Sequence, residues 1–448
     1  MKIQLCLVAG IAMLGATLHA QPKSLTLDEA ITIGVENSRV LHASLMKTEY
    51  ADAKSGEVSA GLYPSLKAQL GYQNLSNIPV PTVVLPRNAF GPGFPPQAVN
   101  VTLNQVILNN YTARATLQQP LFTGWKLQSA ADNAEYAANA AHNDYDKDKQ
   151  QLVYDIKSAY WNVYRAKEMK RLTDENVAQM VQHLDDVQNM FKQGMATTNE
   201  VLKTKVQLAN ARVLQSDAEN SVTVATISFN STVGLPLNTA LTTTTPLTPT
   251  TKEFPEVDRL LADAFKQRAD VQGMEWRVRA AETGVTAARG GWLPQIFLTG
   301  NYYYARPNPR IFPAQDEFKD SWDIGVNLQF DIWNNLSTVH QTSEATAQYE
   351  QAKDSFALLK DGVTLDVTQS YLAFRQAKKK IELAQLSVDQ ATENLRVTRE
   401  KFKAELTTNS ELLDAEVTLL QAKVQLVQSL VEHELAEARL EKAVGEGS

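Results

Sequence analysis

The amino-acid sequence predicts a mainly α-helical chain that carries four membrane β-strands and consists of one structural unit stated twice. Three observations lead to this fold class. The stretch from Phe191 to Leu202 reappears, at an offset of 211 residues, from Phe402 to Leu413. Long proline-free stretches with helical spacing of apolar residues adjoin both copies, and four other stretches alternate apolar and polar residues. Each repeated stretch is interpreted as the tip of a helical hairpin.

The first twenty residues have the composition of a secretory signal peptide. Lys2 precedes an apolar run that ends at Ala20, which is a small residue at a plausible cleavage point. The only cysteine of the chain, Cys6, lies inside this segment. We therefore expect a mature chain without a thiol, a disulfide or a thiolate metal site. After residue 20 the sequence contains no run of about 18 apolar residues, so no membrane-spanning helix is expected.

Charge and motifs exclude several classes of function. The net charge of −7 and the pI of about 5.6 argue against a nucleic-acid partner, which would require a basic surface. The Lys378-Lys379-Lys380 run is interpreted as a solvated helix face. The mature chain has no P-loop, HExxH, Gly-x-Ser-x-Gly or Cys-x-x-Cys, and no two of its histidines have ligand spacing. We therefore expect no catalytic residue, no cofactor and no metal site.

Helices are predicted in the sequence before and after the strands. Thr26-Leu-Asp-Glu29 has the pattern of a capping box and opens the first helix, which Asn37-Ser38 should interrupt. Pro64 should end the second helix, because proline lacks the N–H that continues one. Residues 123–191 then contain no proline and predict a helix about 100 Å long. The apolar stripe of so long a helix has to be buried in a bundle or a tube.

Strands are predicted near residues 65–73, 111–121, 296–304 and 322–332. Their lengths of roughly 9 to 11 residues suit a tilted crossing of a bilayer. Half-buried strands of a soluble sheet would show the same alternation. Aromatic residues at the strand ends favour the membrane, because amphipathic rings suit its interface. They are Tyr63, Phe122, Trp125, Trp292, Tyr302, Tyr303, Tyr304, Trp322 and Trp333.

The repeat defines the expected organisation of the mature chain, residues 21–448, as one protomer. The two structural repeats are assigned to residues 25–238 and 255–447. Residues 239–254, with eight Thr and two Pro, are interpreted as the linker between them. The Pro-rich residues 74–110 and the shorter residues 305–320 are interpreted as exposed loops between strands.

Four transmembrane strands in one chain leave two unpaired edges, and unsatisfied backbone groups are very costly in hydrocarbon. This argument excludes a monomer. Two protomers would give eight strands, whose interior is normally filled by side chains. Three protomers would give twelve strands, which leave a lumen.

The order of helices, strand pair and long hairpin, stated twice after a signal peptide, resembles the TolC family of outer-membrane efflux proteins. The resemblance covers residues 25–447. Its most specific parts are the junctions Tyr63-Pro64-Ser65-Leu66 and Leu293-Pro294-Gln295-Ile296 and the two hairpin tips. It implies a homotrimer in outer-membrane lipid, with a 12-stranded transmembrane β-barrel joined to a trimeric α-helical barrel in the periplasm. It also implies two partners, a periplasmic adaptor (membrane fusion protein) and an inner-membrane pump.

The resemblance assigns adaptor docking to residues of the two tips, namely Phe191, Gly194, Phe402 and Glu405. Gly194 matches the glycine that adaptors contact in this family. Glu405 stands where the family has a second glycine.

The resemblance also implies an acidic periplasmic gate formed by Glu411, Asp414 and Glu200. Thr407 occupies a position where some members have an arginine that ties the tips shut. A second interpretation covers part of this set, because Glu200 and Glu411 lie in the first turn of a helix, where acids favour the helix dipole. Asp414, one turn after Glu411, is explained less well in this way.

Two functions are compatible with these patterns. The first is the passive exit duct of a tripartite efflux or type I secretion system. The second is a non-conducting coiled-coil structural or adhesion protein of the cell envelope. The alternating strands favour the duct, whereas its cargo (drugs, metal ions or polypeptides) is left open.

Overall fold

The computed structural model describes residues 23–76, 79, 82–86, 91, 92, 99–102, 106–247 and 252–446. The expected signal peptide lies outside the described residues, as do parts of the loop 74–110 and residues 248–251 of the expected linker. No helix in the described part of the chain is both long and apolar enough to cross a membrane.

The described residues form eight α-helices and eight β-strands. The helices are α1 (Leu27–Asn37), α2 (Arg39–Ala60), α3 (Lys126–Lys192), α4 (Thr198–Val233), α5 (Val257–Gln267), α6 (Ala269–Arg289), α7 (Ser337–Lys403) and α8 (Asn409–Val444). The strands are β1 (Lys23–Leu25), β2 (Ser65–Asn74), β3 (Thr82–Leu85), β4 (Val99–Thr102), β5 (Asn109–Phe122), β6 (Leu241–Thr243), β7 (Gln295–Arg306) and β8 (Lys319–Gln329).

Helix lengths follow the sequence repeat. Helices α3 and α7 both have 67 residues, α4 and α8 both have 36, and α1 and α5 both have 11. By contact the described residues divide into two compact units. The first lies within Met1–Ser44, Tyr145–Ala269 and Lys360–Ser448, and the second lies within Leu45–Asp144 and Asp270–Leu359. Each unit therefore contains segments of both repeats.

The helix ends show why the sequence begins and stops its helices where it does. Thr26 and Glu29 form the predicted capping box at the start of α1, and Ser38 adopts an extended conformation between α1 and α2. Helices α4 and α8 end at Gly234 and Gly445, whose φ values of 77° and 91° are left-handed. Glycine adopts this conformation without steric cost, and the cap N–H then bonds back to the last helical turn.

The expected linker is not simply a connection. Its Leu241–Thr243 forms β6, which pairs in parallel with β1, and Leu241 joins the buried core of the first unit. The fully buried Tyr160 explains this docking. Its hydroxyl donates to Leu25 O at 2.9 Å and accepts from the amides of Thr244 and Thr245 at 3.2 and 3.1 Å.

The second unit contains an antiparallel sheet of order β2-β5-β7-β8. Its strands lie at the four stretches where alternation predicts them, but β8 begins and ends three residues earlier than expected. The register explains the end of β8. Gln329 pairs with Gln295, and the residue before Gln295 is Pro294, which has no N–H to donate to a further residue of β8. The residues predicted as an exposed loop, 74–110, also contain a short antiparallel pair of β3 and β4.

Candidate functional site

One face of the four-stranded sheet is apolar across all strands. Paired residues of neighbouring strands share a face, and the register pairs Leu66 with Leu117 and Tyr302 with Trp322. Leu66, Leu70, Trp322 and Ile324 are between 70% and 83% exposed in the single chain. A face of this kind requires an apolar environment.

The opposite face carries a hydrogen-bonded polar network. Asn301 accepts from Arg114 at 2.8 Å and from Thr116 at 3.0 Å, and it donates to Asp323 at 2.8 Å. Asp323 is also paired with Arg310. An apolar face and a polar face on the same strands are typical of a transmembrane barrel, whose outside meets lipid and whose inside meets water.

The outer strands of this sheet are incomplete in one chain. Among the strands of the described residues, β2 pairs only with β5 and β8 pairs only with β7. The outward edges therefore present free N–H and C=O groups. Within a bilayer these groups require pairing with further strands.

The two hairpin tips share one backbone turn. Met195 N–H donates to Met190 O at 2.9 Å, and Leu406 N–H donates to Lys401 O at 2.8 Å, which are equivalent bonds in the two repeats. Gly194 (φ 80°) and Glu405 (φ 60°) occupy the same left-handed position. Glu405 thus keeps the conformation of the glycine that it replaces, at a steric cost that glycine avoids.

Glu200 caps the first tip. Its carboxylate accepts from Thr197 N at 2.6 Å, and its own amide donates to the Thr197 hydroxyl at 3.3 Å, which completes a capping box. The helix start therefore accounts for an acid at this position without any gate.

The acids of the second tip are arranged differently. Thr408 Oγ1 accepts from the amide of Glu411 at 3.3 Å, and the Thr407 hydroxyl donates to the Glu411 carboxylate. Thr407 thus contacts the acid from the position where some family members have an arginine. Asp414 is exposed, and its carboxylate has no ion-pair partner among the described residues.

The two tip phenylalanines are equivalent in sequence but not in packing. Phe402 packs against the cluster of Leu395, Leu412 and Ala415 and lies 5.6 Å, between ring centroids, from His183. Phe191 is 45% exposed. Of the two, Phe191 is the more accessible to a partner.

Sequence reasoning missed a buried polar bridge at the tips. His183 shares a 2.7 Å hydrogen bond with Asn409 Oδ1, and Asn409 Nδ2 donates to Thr204 Oγ1 at 3.1 Å. The bridge joins α3, the start of α8 and α4, and all three side chains are buried. The partners are more than 200 residues apart in sequence, so no local pattern could reveal them.

A buried carboxylate lies close to this bridge in sequence. Glu416 Oε1 accepts from Gln179 at 2.9 Å and from Arg399 at 3.3 Å. Glu416 lies one helical turn after the buried Leu412, on the apolar side of α8. This position among apolar residues is the sequence signal that indicates its burial.

Among the described residues, one group of side chains offers metal-ligand atoms close together. It consists of His433, Glu434 and Glu437 on α8, whose ligand atoms all lie within 4.8 Å of one another.

Comparison with known proteins gives a consistent match. The family model described as outer membrane efflux protein matches residues 34–235 and 260–446. Toxin and drug export protein A of Aggregatibacter actinomycetemcomitans is 23% identical over 71% of each chain. Outer membrane protein TolC of Vibrio cholerae is 22% identical over 70% of this chain and 72% of its own.

Solved structures share the fold at low sequence identity. The outer membrane protein VceC of Vibrio cholerae has a TM-score of 0.78 and 18% identity, over 94% of this chain and 96% of its own. The structure of CusC also has a TM-score of 0.78, with 16% identity over 94% of this chain and 92% of its own.

Proposed function

Because this chain belongs to the outer membrane efflux protein family, we propose that it is the exit duct of a tripartite efflux or type I secretion system. The resemblance to the TolC family is thereby confirmed. The protein resides in the outer membrane, with a large helical portion in the periplasm. It conducts cargo passively from a periplasmic adaptor and an inner-membrane pump to the exterior.

The two-faced sheet is the observation that carries this function. Its exposed apolar face suits lipid, and its network of Arg114, Asn301 and Asp323 suits a water-filled interior. The relatives are likewise channel and export proteins rather than enzymes.

We further propose a homotrimer. Three copies of the four-stranded sheet supply twelve strands, and pairing β8 of one copy with β2 of the next satisfies every free edge. Native mass spectrometry of the protein in detergent should find three copies per particle. A stable monomer or dimer would contradict the trimer.

The proposed gate rests on Glu411 and Asp414, which lie three residues apart at the start of α8 and are both exposed. In a trimer they would bring six carboxylates into one constriction. Rings of acids favour cations in pores. Glu200 and the tip residues Phe191, Gly194, Phe402 and Glu405 are retained as proposed gate and adaptor-docking positions, with Phe191 the more accessible aromatic anchor.

Replacement of both acids tests the gate. Glu411→Ala with Asp414→Ala should reduce cation selectivity in a salt gradient and leave the trimer intact. Glu432→Ala, which removes an exposed acid farther along the same helix, is the matched control and should keep the wild-type reversal potential. An unchanged reversal potential in the double variant would assign both acids to the helix start alone.

A further inference from the structure

The cluster of His433, Glu434 and Glu437 is not used by the proposed duct. Residues four apart on a helix share a face, so His433 and Glu437 project together from adjacent turns of α8, with Glu434 beside them. This arrangement has one histidine and two carboxylates on one helix, so the spacing of histidine pairs does not reveal it.

The imidazole of His433 is the most informative member of the cluster. The residue is 1% exposed, and its Nδ1 has no hydrogen-bond partner among the described residues. A buried ring nitrogen without a partner is costly and calls for an explanation. The same nitrogen lies 3.9 Å from Glu434 Oε1, which is too far for a hydrogen bond.

This separation is close to that of two ligands of one metal ion. Zinc binds imidazole nitrogen and carboxylate oxygen at about 2.0–2.2 Å, so two such atoms at tetrahedral positions on one ion lie about 3.4 Å apart, which is roughly half an ångström less than the separation in the chain. The third ligand atom, from the buried Glu437, lies within 4.8 Å of the others. The three ligand atoms must therefore move closer together when an ion binds.

Aromatic rings line the surroundings of His433. The ring of Phe374 lies 5.1 Å from that of His433, and the ring of Phe254 lies 5.0 Å from that of Phe374. Glu437 is buried on the same helix face and interacts electrostatically with Lys252. A divalent cation bound by His433 would add positive charge beside both carboxylates of the cluster.

We propose that His433, Glu434 and Glu437 bind one divalent transition-metal ion of the zinc type. An imidazole with two carboxylates is a ligand set that zinc accepts, whereas calcium and magnesium prefer oxygen ligands alone. All three ligands belong to α8, so the ion stabilises this helix where it packs on Phe374. The site is independent of cargo transport.

Zinc binding by the purified protein tests the proposal. The full-length protein in detergent is stripped with a chelator, dialysed and titrated with zinc chloride by calorimetry, and bound zinc is counted by mass spectrometry after gel filtration. We expect one zinc per chain and a rise in the melting temperature on zinc addition.

Two variants make the result specific. Glu434→Gln keeps the shape of a partly exposed side chain and should weaken zinc binding at least tenfold without unfolding the protein. Glu432→Gln alters a neighbouring exposed acid that pairs with Lys380, and it should bind zinc as the wild type does. Absence of zinc binding by the wild type would overturn the proposal, as would equal affinities of the two variants. A melting temperature that does not respond to zinc would also contradict the proposal.

Discussion

Replacement of Asn409 by alanine should loosen the hairpin tips. Its side chain is buried and bridges His183 on α3 to Thr204 on α4 through bonds of 2.7 and 3.1 Å. Thr204 keeps its bond to Glu200 O at 3.0 Å, so the principal loss is the partner of the buried His183. Leaving one buried polar group unsatisfied costs about 1–3 kcal/mol.

That cost sets the size of the expected effect. Local opening of the tips should become about five- to 150-fold more frequent, because each 1.4 kcal/mol is a factor of ten. Hydrogen exchange measured by mass spectrometry on tip peptides should show this acceleration. Asn199→Ala, which removes an exposed asparagine from the other tip, should leave the exchange unchanged. Wild-type exchange in Asn409→Ala would refute the bridging role.

Three further substitutions give measurable outcomes. Glu405→Gly removes the strain of a left-handed backbone conformation, about 1–2 kcal/mol, but glycine loses about 0.5–1 kcal/mol more conformational entropy on folding. Hydrogen exchange at the second tip should therefore slow by a small factor. Tyr160→Phe should speed exchange of the Thr245 amide and lower the midpoint of chemical denaturation, at a cost of about 1–3 kcal/mol. Burial raises the pKa of Glu441, but hydrogen bonds from lysines, Lys252 first among them, outweigh it and hold the pKa below its ordinary value of 4.5. The stability that Glu441 contributes is therefore fully present above pH 4.5, and it is lost as the pH falls through the lower pKa that Glu441 has in the folded protein. The melting temperature of Glu441→Gln should consequently fall less steeply in acid than that of the wild type.

The sequence predicts most of the fold because its signals are local. The alternation in β2 and β8 and the capping box at Thr26 each lie within a few consecutive residues. The repeat adds a second, independent copy of the helical and strand signals. Such features follow from the geometry of single helices and strands.

The remaining features depend on partners that are distant in sequence. Strand β6 has three residues in a Thr-rich stretch, and only its pairing with β1 and the hydroxyl of Tyr160 make it a strand. The bridge through Asn409 has no counterpart in the first repeat, where Thr198 occupies the equivalent position. The burial of His433 depends on Phe374 of α7. Sequence periodicity contains no information about these contacts.

The central claim, that this protein is an exit duct, is tested most directly by its ionic conductance in planar lipid bilayers. The purified protein should insert and give discrete, stepwise conductance, with a current that multivalent cations reduce at the acidic entrance. The duct would be contradicted if the folded protein inserts into the bilayer but gives no conductance steps, even in the Asn409→Ala variant with its loosened tips. That result would favour a structural role in the envelope.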